Sequence, residues 1–323
     1  MKTLPIALAA LALAAPAWAK DAPSPNEIVD AAPASDWVTI APSDLLVMDL
    51  APDHDGSSTS SGPRRVVIQL MPPPFSQGWI GNIRKLAQAH WWDGTAITRV
   101  QDNYVVQWGD PGAEDKAKAR PLPPGLATVP ENEYSSSASE IWPIIKSATE
   151  HDAIGTPPPT HPVILKDPYA EASLDWHGWP VGTDGGRMWP VHCYGMVGVG
   201  RDMPPNTGSG AELYTVIGQA PRHLDRNIAL VGRVIEGMEY LSSLPRGHGP
   251  LGFYQNPEHR VPIASIRLGN EVSGLPAYQY LSTESGTFAR YADARANRRD
   301  PFFIVPASGA DICNVPVPIR RAP

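Results

Sequence analysis

A chain of 323 residues, 42% hydrophobic and 18% charged, is long enough for one large domain with additions or for two small ones. Its 33 acidic and 26 basic side chains leave a net charge of −7, and no basic stripe runs through it, which excludes a surface built on nucleic-acid phosphates. The 37 prolines predict short elements, many turns and long loops, because proline lacks a backbone donor and ends helices.

Residues 1–19 read as a signal peptide: Lys2, the apolar run "LPIALAALALAA", then small residues at Ala17 and Ala19. The run is too short to span a bilayer comfortably, and a polar, Pro-rich segment follows it. The expectation is an exported protein, periplasmic or secreted, with no membrane span in its mature form.

Residues 20–36 read as a linker. From Trp37 the pattern turns to strands, with "LLVMDL" (45–50) and "RRVVIQLMP" (64–72) as β-branched, apolar runs around a polar hairpin loop, "DHDGSSTSSGP". The stretch 72–94 predicts a helix with Ser76 as N-cap, since Ile80, Ile83, Leu86 and Ala87 recur at helical spacing. Two strands joined at "QDN" follow, in "DGTAITRVQDNYVVQWGDP" (93–111). Residues 112–191 read as a long, loop-rich insertion, with at most a short helix interrupted by Pro143. Strands resume at "HCYGMVGVG", "AELYTVIG" and "IALVGRVI"; a short helix in "EGMEYLSSLP" and a strand in "PIASIRLG" come next. The extension 271–323 carries a helical pattern at Thr287, Phe288, Tyr291 and Ala292. Its arginines 290, 295, 298 and 299 read as a solvated helix face, with a binding patch as the alternative. Many strands and few helices predict a mainly β fold, a closed barrel with helices at its ends.

Cys193 and Cys313 are the two cysteines. In an exported chain an even pair is a disulfide candidate; two separate buried thiols is the alternative. No Gly-x-Ser-x-Gly elbow supports a serine hydrolase; the nearest stretch puts Ser209 in a turn before a strand. The nine histidines show no HxH or HxxxH pair, and Asp175 with His177 supplies only two ligands, so no metal site is predicted. The glycines of "GMVGVGRDMPPNTGSG" precede no helix, which argues against a phosphate loop. What remains is Arg99 and Gln107, which a hairpin over Gln101–Asn103 brings to one face beside Tyr104 and Val105. That combination suits a ligand with one carbonyl and one small apolar ring. Taken alone, the pair reads more simply as an arginine that lays its stem on the strand and pairs at the surface.

The flanking sequence changes this. Asp93, Gly94, Thr95, Arg99, Val100, Gln107, Gly109, Asp110 and Pro111 match the signature D-G-T-x-F-H-R-V-x-x-x-F-x-x-Q-G-G-D-P, and the stretch resembles the cyclophilin family of peptidyl-prolyl cis-trans isomerases. Upstream, "WIGNIRKLAQAHWWDG" is similar to that family's N-F-x-x-L helix through Asn82 and Leu86. Downstream, "YGMVGVGRD", "ELYTVIGQAPRHLDRN" and "LVGRVIEGM" resemble its later segments, in order.

The resemblance implies a cyclophilin-like antiparallel β-barrel over 37–270 with two capping helices, the insertion at 112–191, and a helical C-terminal extension. It implies Arg99 and Gln107 as catalytic residues, and Tyr104, Val105, Leu213, Tyr214, His223 and Leu224 as the substrate pocket. It implies proline-containing polypeptides as partners and no cofactor; the sequence leaves the oligomeric state open, with a monomer favoured. The departures lie in the pocket: Ile97-Thr98 stand for Phe-His, Glu212 for Gln, and Leu213-Tyr214 for two Phe, with a register uncertain by one residue. Gly198 and Val199 stand for Ser and Met. His223 stands where some members carry Trp, which argues against tight cyclosporin binding. A catalytically weak peptide-holding module or chaperone on the same barrel is the competing expectation.

Overall fold

Runs of four to eight residues rich in Val, Ile and Leu need partners on two sides before they lose contact with water, and here they find them in a barrel covered from outside. The computed structural model describes residues 22–52, 64–153 and 164–323. The signal-peptide reading, the loop 53–63 and the "GTPPPTHP" segment lie outside the described residues. In chain order the elements begin with α1 (Pro25–Asp30), β1 (Trp37–Ile40), β2 (Leu45–Leu50), β3 (Arg64–Leu70), α2 (Gln77–Gln88), β4 (Ala96–Val100) and β5 (Val105–Gly109). The insertion holds β6 (Ser136–Ser137), α3 (Trp142–Ala153), β7 (Ile164–Leu165), β8 (Ala172–Trp176), β9 (Trp179–Thr183) and β10 (Arg187–Pro190). Then come β11 (Met196–Val199), β12 (Leu213–Val216), β13 (Leu230–Glu236), α4 (Glu239–Ser242), β14 (Val261–Leu268), β15 (Tyr278–Leu281), α5 (Gly286–Ala296) and β16 (Ile319–Arg321).

Eight strands close an antiparallel barrel in the order β11-β12-β5-β4-β14-β2-β3-β13. Leu46, Met48, Leu50, Val66, Ile68, Ile97, Val106, Trp108 and Leu213 fill it. Leu45 and Val67 point the other way, yet they are buried as well. They pack under Ile40 and Tyr278 of a three-stranded sheet, β1-β15-β16, built from both ends of the chain. Burial on both faces is why β2 and β3 read as unbroken apolar runs rather than alternating ones.

Several expectations need correction. Ser76 flanks α2 at φ 54° and makes no capping bond through its side chain. Instead the Glu133 carboxylate, 55 residues away, accepts from the Gly78 N–H at 3.0 Å, a donor left open at a helix start. Pro143 does not interrupt α3; it sits in the first turn, where its missing N–H removes no helical bond. The linker span contains α1, closed by a Ser24–Glu27 capping box, with Ile28 buried against α5. The C-terminal extension is not only helical, since β15 and β16 lie in it. Its arginines are partnered locally: Arg298 with Asp300 at 2.6 Å, Arg299 with Asp293 at 3.2 Å, Arg295 with the Asn314 carbonyl.

The insertion is the largest correction. It forms a five-stranded sheet, β6-β10-β9-β8-β7, where loop was expected. "WHGW" is a two-residue hairpin: Trp176 pairs Trp179, and His177 and Gly178 both have positive φ, 48° and 83°. The sheet seats on the α2 end of the barrel. Tyr134 stacks on Trp79 at 5.3 Å, and Phe75 meets Trp176 edge-on at 5.9 Å. Arg233 of β13 reaches across to it. It donates to Gln69 Oε1 and to the Gly178 carbonyl, and lies over the Trp179 ring at 4.3 Å.

Cys193, just before β11, is bonded to Cys313 in the tail, with Cα atoms 5.1 Å apart across 120 residues. No described helix is long and apolar enough to cross a membrane, and the described residues hold no group of three metal-ligating side chains.

These constraints make two features testable, the first of them the Cys193–Cys313 bond. Mass analysis of non-reduced protein after alkylation should find neither cysteine modified; two alkylated thiols would contradict the bond. Cys313→Ser should lower unfolding stability by about 2–5 kcal/mol, as for other long closed loops, and an unchanged denaturation midpoint would contradict that. The second concerns Asp175 of β8. Its Oδ1 is buried without a partner, and burial pushes its carboxyl from the ordinary 3.8 up to about 8, against the pull of Arg233. The folded state therefore holds this proton more tightly than the unfolded chain, so stability falls as pH rises from about 4 through about 8. Asp175→Asn should gain melting temperature over the parent at about pH 9 relative to about pH 5. An identical difference at both pH values would contradict it.

Candidate active site

The site grows from one irregularity in β4. The strand alternates from Ile97, inside the barrel, and without interruption Arg99 would also point inward. The β4–β5 register slips between Ile97 and Arg99, leaving Thr98 as an extra residue. Such a bulge re-aims the side chain that follows it. Arg99 therefore faces outward opposite Gln107, and Val100 returns to the core.

The Arg99 guanidinium is then fixed on every nitrogen. Nε donates to the Leu251 carbonyl at 2.6 Å, Nη1 to Gln107 Oε1 at 3.1 Å, and Nη2 to Gln101 Oε1. Its carbon lies 5.6 Å from the Tyr104 ring and 5.5 Å from that of Phe253. Burial lowers its pKa from the ordinary value, and it stays a cation.

Beside it is a cleft of about 100 Å³, room for one small ring. Arg99, Gln107 and Arg201 form its polar side; Tyr104, Val105, Tyr214, Leu224 and Ile228 form its apolar side. Val105, Tyr214 and Val216 make an outward-facing apolar cluster on β5 and β12, separate from the barrel interior. The register Tyr214↔Gln107 and Leu213↔Trp108 resolves the one-residue uncertainty. Leu213 points inward and is no part of the cleft, because successive residues of a strand face opposite sides. His223 is exposed at the rim, stacked on Tyr104 with ring centres 6.4 Å apart, and does not line the cleft.

Tyr214 is held from beneath. Its hydroxyl lies 2.9 Å from His192 Nε2, and His192 Nδ1 lies 2.9 Å from Asp225 Oδ1. A carboxylate only accepts, so Nδ1 carries the proton and Nε2 accepts from the phenol. Burial lowers the His192 pKa, keeping the ring neutral, and raises that of Tyr214 well above the usual phenol. Arg222 completes the set, donating to Asp225 at 2.7 Å and to Asp167 at 2.7 Å. A Cβ on Gly198 would fall 2.3 Å from the Tyr214 ring and hydroxyl, so the missing side chain there is what admits the phenol.

Sequence reasoning missed His192, Asp225, Arg201, Ile228 and Phe253. One signal was available: a tyrosine in place of a buried phenylalanine needs a partner for its hydroxyl. Asn82 of α2 links that helix to two segments outside the cleft, donating to the Ala127 and Ser209 carbonyls and accepting from the Ala127 N–H.

The family model "Cyclophilin type peptidyl-prolyl cis-trans isomerase/CLD" matches residues 62–268. No curated protein matches the chain. Among solved structures, the cyclophilin AquaCyp293 from Hirschia baltica is similar at 19% identity and a TM-score of 0.60, covering 88% of this chain and 92% of that one. A cyclophilin type peptidyl-prolyl cis-trans isomerase from Cryptosporidium parvum is 12% identical with a TM-score of 0.37, over 69% of this chain and 96% of its own. The first likeness speaks to the fold, while the family-model match covers more than half of the chain. The chain belongs to the cyclophilin-type peptidyl-prolyl cis-trans isomerase family, enzymes that interconvert the cis and trans forms of prolyl peptide bonds.

Proposed function

We propose that the cleft beside Arg99 isomerises X-Pro bonds in exported polypeptides, by electrostatic stabilisation of the twisted amide. The observation that carries this reading is a guanidinium held on three nitrogens at the edge of an apolar cleft sized for one ring.

Rotation about a prolyl amide is slow because the C–N bond has partial double-bond character, with a barrier of about 18–20 kcal/mol. No proton transfer and no covalent intermediate is required. A catalyst need only favour the twisted amide over both planar forms. On twisting, the prolyl nitrogen becomes pyramidal and gains a lone pair. The Arg99 guanidinium keeps two N–H bonds beyond the three already engaged, and these meet the developing charge. Gln107 holds the guanidinium. Tyr104, Val105, Tyr214, Leu224 and Ile228 clamp the ring, and His223 extends the Tyr104 wall at the rim.

Export rests on Lys2, the apolar run after it and the small residues at Ala17 and Ala19, together with the Cys193–Cys313 bond, which suits an oxidising compartment. The substrates are then unfolded or exported polypeptides of the periplasm or the medium. The competing reading is a module or chaperone that holds prolyl peptides without turning them over. It is favoured by the same three bonds, which leave Arg99 little freedom to follow a substrate.

A proline-isomerisation assay on a short peptide decides between them. The wild type should accelerate isomerisation. Arg99→Ala should lower kcat/KM by about 10²–10³-fold, the effect of losing one preorganised donor, with an unchanged circular dichroism spectrum. A wild type no faster than buffer would leave the binding module. Equal rates in the two proteins would remove Arg99 as the catalyst.

A further inference from the structure

Behind Arg99 the polar groups continue inward in a line that prolyl isomerisation does not itself require. Gln107 stands next, and behind it, one residue before β12, is Glu212. Its Oε1 accepts from the Asp110 N–H at 3.0 Å, and its side chain lies beside Gln107 Nε2 over Gly200, where the Gln107 amide lowers its pKa. The space it fills is cut from two glycines. A Cβ on Gly109 would lie 2.1 Å from Glu212 Oε1. A Cβ on Gly200 would lie 2.9 Å from the Glu212 Cβ and 3.4 Å from Gln107 Nε2.

We infer that Glu212 is a positioning residue: its carboxylate sets which way the Gln107 amide faces, so that protonating it loosens the Gln107 bond to Arg99, one of the three that aim the guanidinium, and slows the enzyme. The inference rests on the isomerase reading above and adds a control over the same site.

The argument is one of donors and acceptors. An ionised carboxylate only accepts, so Gln107 must turn its NH₂ group to Glu212. That leaves Oε1 facing Arg99 Nη1, which is the arrangement found. A protonated carboxyl can donate to Oε1 and compete with Arg99 for it. It can equally accept the flipped amide, whose NH₂ would then face a guanidinium that has only donors. The ionised form selects one orientation and the neutral form does not.

An ordinary carboxyl would stay ionised far below neutral pH. Burial, aided by the negative charges of Asp110 and Glu114 in the segment after β5, pushes Glu212 up to about 7, against its bonds from Gln107 and the Asp110 N–H. On the β4 side Arg99 lies beyond Gln107. On the β11 side Arg201 follows Gly200. Of the remaining ionisable groups at the cleft, burial raises the Tyr104 and Tyr214 phenols and lowers the His192 imidazole. His223 stands at the rim, stacked on Tyr104, and is the control position.

The test is the pH profile of kcat/KM on a peptide with no ionisable side chain, from about pH 5.5 to about pH 8.5. It is run for the wild type, Glu212→Gln and His223→Asn. Alongside it, the Gln107 side-chain amide resonances are followed by ¹⁵N NMR in the wild type. Wild-type kcat/KM should fall about tenfold towards low pH, the scale of one charge-assisted hydrogen bond, with its midpoint at about 7. The profile should flatten to within about twofold in Glu212→Gln and keep its inflexion in His223→Asn, and the Gln107 amide should titrate with the wild-type midpoint. A flat profile in a wild type that does isomerise overturns the inference, as does an inflexion that survives in Glu212→Gln or vanishes in His223→Asn. A wild type inactive at every pH would defeat the isomerase reading instead. The Gln107 titration then still decides: a midpoint at about 7 supports the link to Glu212, and no shift overturns it.

Discussion

One extra residue in β4 decides where the positive charge goes. With Thr98 bulged out, Arg99 leaves the barrel interior and lies against Gln107, Tyr104 and Phe253; without the bulge it would enter a core of Ile97, Val106 and Trp108. A guanidinium there would be a buried charge with no hydrogen-bond acceptor among those apolar side chains, a large cost in free energy. The same bulge leaves three of its five N–H bonds on fixed protein acceptors and two free. The Leu251 carbonyl and the Gln107 and Gln101 amides hold that arrangement still.

The barrel has two outer apolar faces, and they are used differently. Leu45 and Val67 are sealed under the sheet formed by both ends of the chain. Val105, Tyr214 and Val216 are covered by Tyr104 and Ile228 instead, and Val105 and Tyr214 line the cleft. The pocket substitutions make sense as linked changes on that second face. Tyr214 carries a hydroxyl that a phenylalanine would not. Gly198 gives it room, and His192 with Asp225 gives it an acceptor. Because that histidine is neutral and saturated on both nitrogens, it acts as a strut under the cleft rather than as an acid or base. Glu212, Gly109 and Gly200 form a second linked set on the other side of Gln107.

Legibility followed sequence distance. Arg99 and Gln107 lie eight residues apart across one hairpin, so their meeting could be argued from the turn between them. The order of the flanking segments made the barrel and its family readable. His192 and Asp225 are 33 residues apart, and Asp167 and Arg222 are 55 apart. Nothing local marks such pairs. The β12 register was ambiguous because all four of its residues are buried, so hydrophobicity does not say which of Leu213 and Tyr214 faces the cleft. The insertion hid its sheet in strands of two to five residues, punctuated by Trp, Gly and Pro that resemble loop. Glu133 capping α2 from 55 residues away replaced the local cap expected of Ser76.

The role given to Arg99 separates binding from turnover, because a group aimed at the twisted amide contributes little to holding the planar one. Exchange NMR on a single X-Pro peptide at saturating protein reads the two independently, for the wild type and Arg99→Gln. The account predicts that Arg99→Gln binds the peptide within about threefold of wild type while cis–trans exchange on the protein slows by about 10²-fold or more. Weakened binding with undiminished exchange per bound peptide would contradict it.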